Sequence, residues 1–107
     1  MKKGTIKVSI LYPFGNNKKF DMDYYLNKHV PMVTGLLGDA IIGATIEKGL
    51  GGDVPDAPPT YVSMGNIYFE TMDSFQNSFG PHAETIMSDI PNYTNIEPII
   101  QVSEVLV

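Results

Sequence analysis

The sequence of 107 residues contains no cysteine and no arginine. Without cysteine the chain has no disulfides, no thiolate nucleophile and no sulfur ligand for a metal. All 7 basic residues are lysines, so no guanidinium is present to bind a carboxylate or phosphate through two parallel hydrogen bonds. A substrate anion would have to be met by lysine, by backbone amides or at a helix N-terminus.

Two further features are scarce, namely positive charge and long apolar runs. The formal net charge is −5, and the lysine clusters at 2–3 and 18–19 carry no interleaved aromatic residues, which argues against a nucleic-acid partner. The start Met1-Lys2-Lys3 is similar to the first part of a secretory signal, but Lys7, Ser9 and Pro13 interrupt the apolar segment that a signal requires next. No run is long enough to span a membrane. We therefore expect a soluble cytoplasmic protein.

Cofactor and metal motifs are also missing. The stretch GLGGDVP fails the dinucleotide-binding pattern, because the third glycine would have to fall at Val54, and it lacks the ending of a phosphate loop. Asp53 and Asp56 of the same stretch are typical of a solvated loop. His29 and His82 are far apart in sequence and make no metal signature by spacing, although the fold could bring them together with Asp89. The expectation is that the protein holds no cofactor and no metal.

Hydrophobic periodicity predicts four strands and two helical regions in one domain of residues 1–107. Alternation predicts strands, turn residues separate them, and Asp21 and Gly38 mark the start and end of a helix that Pro31 kinks. The predicted strands are Thr5–Tyr12, Ala40–Leu50, Thr60–Glu70 and Ile99–Val107. The first predicted helical region is 22–37, and the second consists of two short helices at 71–79 and 81–90. The order β-α-β-β-α-β predicts an α+β, ferredoxin-like fold with a four-stranded antiparallel sheet and helices on one face.

Both faces of the predicted sheet carry apolar residues. In the last strand Ile99 and Val105 lie on one side, whereas Ile100 and Val102 lie on the other. A face left in water should be mostly polar, so the uncovered face requires a partner. The economical partner is a second copy of the chain, and we predict a homodimer.

The helix beginning FDMDYYLNKHVPM places a histidine on its apolar face. At about 100° per residue, one arc collects Met22, Tyr25, Leu26, His29, Val33 and Leu36. His29 lies near the centre of this arc, one turn after Tyr25, while Tyr24 points to nearly the opposite side. Two interpretations remain open: a neutral imidazole bonded within the core, or a ring that lines a site of proton transfer.

The second histidine, His82, lies in the first turn of the segment PHAETIMSDIPNY. An exposed or capping residue is the simplest interpretation of His82. Asp89 and Tyr93 follow closely, so the segment could bring histidine, aspartate and tyrosine together.

These two stretches resemble the EthD family. FDMDYYLNKHVPM resembles its helix motif, and FGPHAETIMSDIPNYTNIEPIIQVSEV resembles its C-terminal half. The resemblance implies a dimeric α+β barrel, in a superfamily that includes cofactor-free monooxygenases, isomerases and polyketide cyclases or dehydratases. Carried over by position, it places the helix tyrosine and histidine at Tyr25 and His29, Asp21 at the helix start, and the acidic segment at Asp89, Pro91 and Tyr93.

Together these observations predict a cofactor-independent enzyme for a small apolar or aromatic metabolite. His29 would transfer a proton next to a carbonyl, and Tyr25 would orient the substrate or stabilise charge on its oxygen. Substrate contacts are expected from Met22, His82, Asp89 and Tyr93. The alternatives are a non-catalytic binding or accessory protein of an oxygenase or degradation pathway, and a structural dimer in which His29 is a core residue.

Overall fold

A computed structural model describes residues 1–107 as one four-stranded antiparallel sheet with helices on one face. The strands are β1 (Ile6–Pro13), β2 (Gly43–Lys48), β3 (Tyr61–Phe69) and β4 (Ile99–Glu104). Their order across the sheet is β2-β3-β1-β4, so β2 and β4 are the edges. The ferredoxin-like arrangement predicted from the sequence is therefore confirmed.

The first helical region joins β1 to β2 and changes its winding along its length. It starts as α1 (Met22–Tyr24), continues as a π-helical turn (Tyr25–His29) and ends as α2 (Val30–Leu37). Asp21 caps it as predicted, because its side chain accepts a hydrogen bond from the amide of Tyr24 at 3.0 Å. Gly38 follows α2 with a φ of 57°, a conformation that glycine adopts at low cost.

The π-helical turn lies directly before Pro31, where the sequence predicted a kink. Pro31 has no N–H to donate and its ring crowds the carbonyl four residues earlier. The chain responds by lengthening one turn, in which the amide of Val30 bonds to the carbonyl of Tyr25, five residues back. The extra residue rotates the buried face, so that Leu37 is buried while Leu26, expected on the apolar arc, is 44% exposed.

The second helical region joins β3 to β4 in two short helices, α3 (Met72–Phe79) and α4 (Ala83–Asp89). Thr71 caps α3 through a bond from the amide of Ser74 at 3.0 Å. A 3₁₀ turn at Gly80–His82 separates the helices, as the Gly80-Pro81 pair predicted, and a second 3₁₀ turn at Ile90–Asn92 follows α4. None of the helices has the length and hydropathy needed to cross a bilayer.

Two hydrophobic clusters fill the space between helices and sheet. The first packs strand residues against α2 and α4, and its buried members are Ile6, Val8, Val33, Leu37, Phe69 and Ile86. The second lies at the other end of the strands and contains three tyrosines among its members Tyr12, Tyr25, Ile90, Tyr93 and Ile96. The polar residue His29 is buried beside this second cluster.

The sheet face away from the helices is more polar than predicted. Side chains there bond across three strands, because Ser9 donates to Asn66 at 3.1 Å and Asn66 donates to Thr45 at 3.2 Å. Apolar residues lie beside this polar row on the same face, among them Leu11 and Met64. The expectation of two apolar faces is therefore only half correct, and the homodimer drawn from it stays a prediction.

Two strand boundaries differ from the predicted ones by three residues, and all the others agree within two. β2 starts at Gly43 rather than Ala40, because Gly38–Ala40 form a 3₁₀ turn after α2. β4 ends at Glu104 rather than Val107, although Val105 still exchanges backbone hydrogen bonds with Gly4 and Thr5 at 2.8 Å. Beyond Val105 the chain is exposed and unpaired with a neighbouring strand.

Gly49, just after β2, predicts a sharp sensitivity to an added methyl group. A Cβ at Gly49 would lie 2.0 Å from the carbonyl oxygen of Tyr61. We expect Gly49→Ala to lower the free energy of unfolding by about 1–3 kcal/mol, the usual range for overpacking.

Gly35 of α2 is the matched control, because a Cβ added there has no atom within 4 Å. Gly35→Ala should raise the free energy of unfolding by about 0.5–1 kcal/mol. Urea unfolding of both variants checks this, and equal effects would contradict it.

Candidate functional site

A cavity of about 120 Å³ lies between the helices and the sheet. Of its 20 lining residues, 17 are hydrophobic, and no lysine, aspartate or glutamate is among them. The strands supply one wall and the two helical regions supply the other. Near the second cluster the wall carries polar atoms, at Tyr12, Tyr25 and His29. At the opposite end it is made of aromatic and aliphatic side chains, including Phe69, Phe75, Phe79, Leu37 and Ile86.

His29 ends the π-helical turn and lies in this wall with only 5% of its surface exposed. Its Nδ1 atom is 2.9 Å from Oδ2 of Asp89. An ionised carboxylate only accepts hydrogen bonds, so Nδ1 carries the proton and donates it. Nε2 has no hydrogen-bond partner in the protein. Because every buried side-chain nitrogen and oxygen atom does have a partner, Nε2 is not a buried atom and is open to the space beside it. A neutral His29 thus presents a lone pair at the cavity.

Asp89, at the end of α4, receives donors from three side chains. The Tyr24 hydroxyl donates to Oδ1 at 2.7 Å and the Asn92 side-chain amide donates to Oδ1 at 2.9 Å, which leaves Oδ2 for His29. Partial burial raises the pKa of the Asp89 carboxyl, but the bonds from Asn92, Tyr24 and His29 together outweigh it. The pKa therefore lies below its ordinary value, and Asp89 is a carboxylate near neutral pH.

Aromatic rings fix the position of the imidazole. The ring of Tyr25 stacks on that of His29 with centroids 5.8 Å apart and an angle of 16° between planes. The ring of Tyr93 packs on another side, with centroids 4.7 Å apart. Tyr93 is in turn held by a 2.7 Å hydrogen bond between its hydroxyl and that of Tyr12 on β1. The imidazole is therefore constrained by rings as well as by its bond to Asp89.

The Tyr25 hydroxyl is the second polar group of the cavity wall. Burial, and then the neighbouring Tyr12 hydroxyl, raises the pKa of Tyr25, so the phenol stays protonated and can donate. The hydroxyls of Ser63 and Tyr12 lie close enough to influence this pKa, and each also has another partner, since Tyr12 bonds to Tyr93 and Ser63 donates to the carbonyl of Glu47 at 3.1 Å. Gly65 makes room for this hydroxyl, because a Cβ there would lie 3.0 Å from it.

The family model of the EthD domain matches residues 17–97. The chain belongs to the EthD family. Among solved structures it is similar to an EthD-like protein from Ralstonia eutropha JMP134, with 40% sequence identity, a TM-score of 0.92, and 99% of this chain and 96% of that chain covered. An EthD family protein from Bacillus halodurans C-125 has 15% identity and a TM-score of 0.71, with 94% and 97% covered.

A more distant structure shares only the fold of this EthD protein. It comes from Shewanella loihica PV-4 and is provisionally named a monooxygenase, with 4% identity, a TM-score of 0.64, and 100% and 99% of the two chains covered. No curated protein matches the sequence. The fold of this chain thus also occurs in a protein that is provisionally named a monooxygenase.

The predicted site residues of the EthD protein form three groups: those in the cavity wall, those that contact His29 from outside the wall, and those that do neither. His29 and Tyr25 line the cavity, whereas Asp89 and Tyr93 lie outside its wall and contact His29 instead. Met22 packs against the second cluster but does not reach the cavity wall. His82 is absent from the wall as well and makes no side-chain hydrogen bond, because the 3₁₀ turn carries it to the far end of α4 from Asp89.

For Met22 and His82, the predicted contact with substrate therefore has no support in the placement of the side chains. His29, His82 and Asp89 do not converge either, and no group of three or more potential metal-ligating residues exists. His29 and Tyr25 therefore lie at the cavity, whereas Asp89 and Tyr93 contact His29 from outside the cavity wall. The roles themselves stay predictions.

Two residues of the site were missed by the periodicity. Tyr24 was placed on the opposite side of the helix from His29, yet it reaches Asp89, because α1 precedes the π-helical turn and is offset from α2. Asn92 lies in the 3₁₀ turn after α4, where it reaches back three residues to Asp89. No spacing rule marks either residue, although a tyrosine pair before a proline was visible in the sequence.

The bonds to Asp89 predict a pH-dependent contribution to stability. Because the folded-state pKa of Asp89 is lowered, this contribution is complete above the unfolded value of about 3.9 and is lost as the pH falls through the folded value. We expect Asp89→Asn to cost about 1–3 kcal/mol near neutral pH, since bonds to a charged acceptor are lost or weakened.

Unfolding in urea at a series of pH values measures this difference. The gap between the native protein and Asp89→Asn should narrow below about pH 4. Asp53→Asn is the control, because Asp53 is exposed in the loop between β2 and β3 and makes no side-chain hydrogen bond. A gap that stays constant across the acid range would show that the carboxylate charge of Asp89 is irrelevant.

Proposed function

We propose that this EthD protein is an enzyme in which its own side chains move a proton on a small, uncharged, apolar or aromatic substrate. One observation carries the proposal: the Nδ1 atom of His29 is committed to Asp89, which leaves Nε2 as a base at an apolar cavity. Nε2 has no hydrogen-bond partner in the protein and is accessible beside the cavity, so a ligand can reach it.

The reaction that suits this arrangement is removal of a proton from a carbon next to a carbonyl. The lone pair of Nε2 takes the proton, and the electrons of the broken C–H bond move to the carbonyl oxygen to form an enolate. The Tyr25 hydroxyl donates a hydrogen bond to that oxygen. The imidazolium formed is stabilised by the Asp89 carboxylate, whose Oδ2 atom is 2.9 Å from Nδ1. In a β,γ-unsaturated ketone the enolate is conjugated with the double bond, so return of the proton to the γ carbon completes an isomerisation, whereas in a simple ketone the proton returns to the α carbon and is exchanged.

The surroundings support such a proton transfer. An apolar wall excludes water and strengthens the interaction of each polar group with the developing charge. Packing against the rings of Tyr25 and Tyr93 fixes the orientation of His29 before the substrate binds. The cavity volume of about 120 Å³ favours a small substrate, since an apolar cavity of about 150 Å³ holds benzene.

Exchange of α-protons tests the proposal without knowledge of the physiological substrate. Acetophenone in D₂O, with larger aryl ketones as further members of the panel, gives an exchange rate by proton NMR. We expect the native protein to accelerate exchange, and His29→Gln to reduce the acceleration by about 10²–10⁴-fold, the contribution of one general base. Glutamine can keep the bond to Asp89 but cannot serve as the base.

His82→Gln is the matched control, because it removes the only other histidine, which lies away from the cavity. It should exchange at the native rate. Exchange by His29→Gln at the native rate would contradict the role of His29. Ketones that bind without any accelerated exchange would identify a ligand-binding protein instead, the alternative expected from the sequence.

A further inference from the structure

The two ends of the cavity differ in what they offer a ligand. One end carries the Nε2 atom of His29 and the Tyr25 hydroxyl, and the remainder is hydrocarbon and aromatic surface. A ligand that fills the space therefore needs one polar group at one end and an apolar body. Phe69, Phe75 and Phe79 lie at the apolar end, where their rings pack with centroids 5.2 and 5.6 Å apart in succession. An aromatic ligand can pack against the cavity side of these rings in a stacked or edge-to-face arrangement.

Charge restricts the polar group. No cationic side chain other than an imidazole lines the cavity, and the chain has no arginine. An anionic ligand would lose its hydration without gaining a permanent countercharge, and the Asp89 carboxylate lies directly behind His29. A carboxylate ligand is therefore disfavoured, and the polar group is uncharged.

The two polar atoms are complementary to a hydroxyl. With Nδ1 protonated, Nε2 of His29 can only accept a hydrogen bond, and the Tyr25 phenol donates one. A hydroxyl or an enol satisfies both atoms, since it donates to Nε2 and accepts from Tyr25. A carbonyl satisfies only Tyr25, and a hydrocarbon satisfies neither.

From this complementarity we infer that the cavity binds uncharged single-ring compounds in their hydroxyl or enol form, so that phenols are its ligands and mimic the enol of the substrate. This inference rests on the proposed function for the role of the enol. The binding preference itself depends only on Nε2, Tyr25 and the uncharged wall. It therefore adds a ligand class that is tested by affinity rather than by turnover.

Three ligands of nearly equal shape test the ligand class: p-cresol, toluene and p-toluate. Chemical-shift titration of the ¹⁵N-labelled protein near neutral pH gives each dissociation constant. We expect p-cresol to bind about 5–10-fold more tightly than toluene, the equivalent of one net hydrogen bond, and p-toluate to bind more weakly than both. Equal affinities for p-cresol and toluene, or tighter binding of p-toluate, would overturn the inference.

Substitutions at Tyr25 and His29 test whether these two side chains cause the preference for p-cresol over toluene. Tyr25→Phe removes one of the two hydrogen bonds, so the preference for p-cresol over toluene should fall to about two- to threefold while toluene binding stays unchanged. His29→Ala should have the same effect on the ratio, and His82→Ala should leave the ratio at the native value. If Tyr25→Phe keeps the native ratio, the hydroxyl site is wrong. Selective p-cresol binding without any ketone exchange would uphold the ligand class and overturn only the catalytic role.

Discussion

The hydrogen bond between His29 and Asp89 joins the two helical regions on one face of the sheet. One partner ends a π-helical turn and the other ends α4, so the bond connects residues 60 positions apart. In largely apolar surroundings neither group is tolerated alone, because an unpaired polar side chain there costs about 1–3 kcal/mol. Paired, each fixes the other. The pairing also decides which ring nitrogen is protonated, and hence which atom can act as a base.

Asp89 remains ionised beside His29 because two further hydrogen-bond donors stabilise its carboxylate. Tyr24 and Asn92 both donate to Oδ1, so two hydrogen bonds stabilise the ionised carboxylate on that side. Such support residues determine how strongly a carboxylate polarises an imidazole. The tyrosine pair 24–25 therefore has two separate tasks, because Tyr24 holds the carboxylate and Tyr25 faces the cavity. Their separation depends on the change from α to π winding between them.

Much of the fold could be predicted from the sequence, and the reasons are local. Alternation in β1 and β3, the cap at Asp21 and the break at Gly80-Pro81 are each set by residues close together in the chain. The outer face was harder to predict, because which residues share it depends on the register between strands. Asn66 and Ser9 meet there only because β3 pairs with β1 in the observed register.

The centre of the site was likewise visible as a histidine and a tyrosine one turn apart. The partners of His29 were not, since Asp89 was expected to touch substrate and Tyr24 was assigned to the opposite face. A helical wheel assumes 3.6 residues per turn, and one π-helical turn before Pro31 shifts the arc, so that Val33 is buried as predicted whereas Leu37 is buried more deeply than Leu36. The position of His82 outside the cavity wall was not visible in the sequence either, because proximity to Asp89 in the chain does not fix the direction in which a 3₁₀ turn sends a side chain.

Ile100 belongs to two environments at once. It forms part of the cavity wall, and it lies on β4, an edge strand whose backbone can accept a further strand or a covering surface. With 45% of its surface exposed, its outer side is reached from solvent while its inner side faces the ligand space. A surface that covered this edge would therefore contact a side chain that also lines the ligand space.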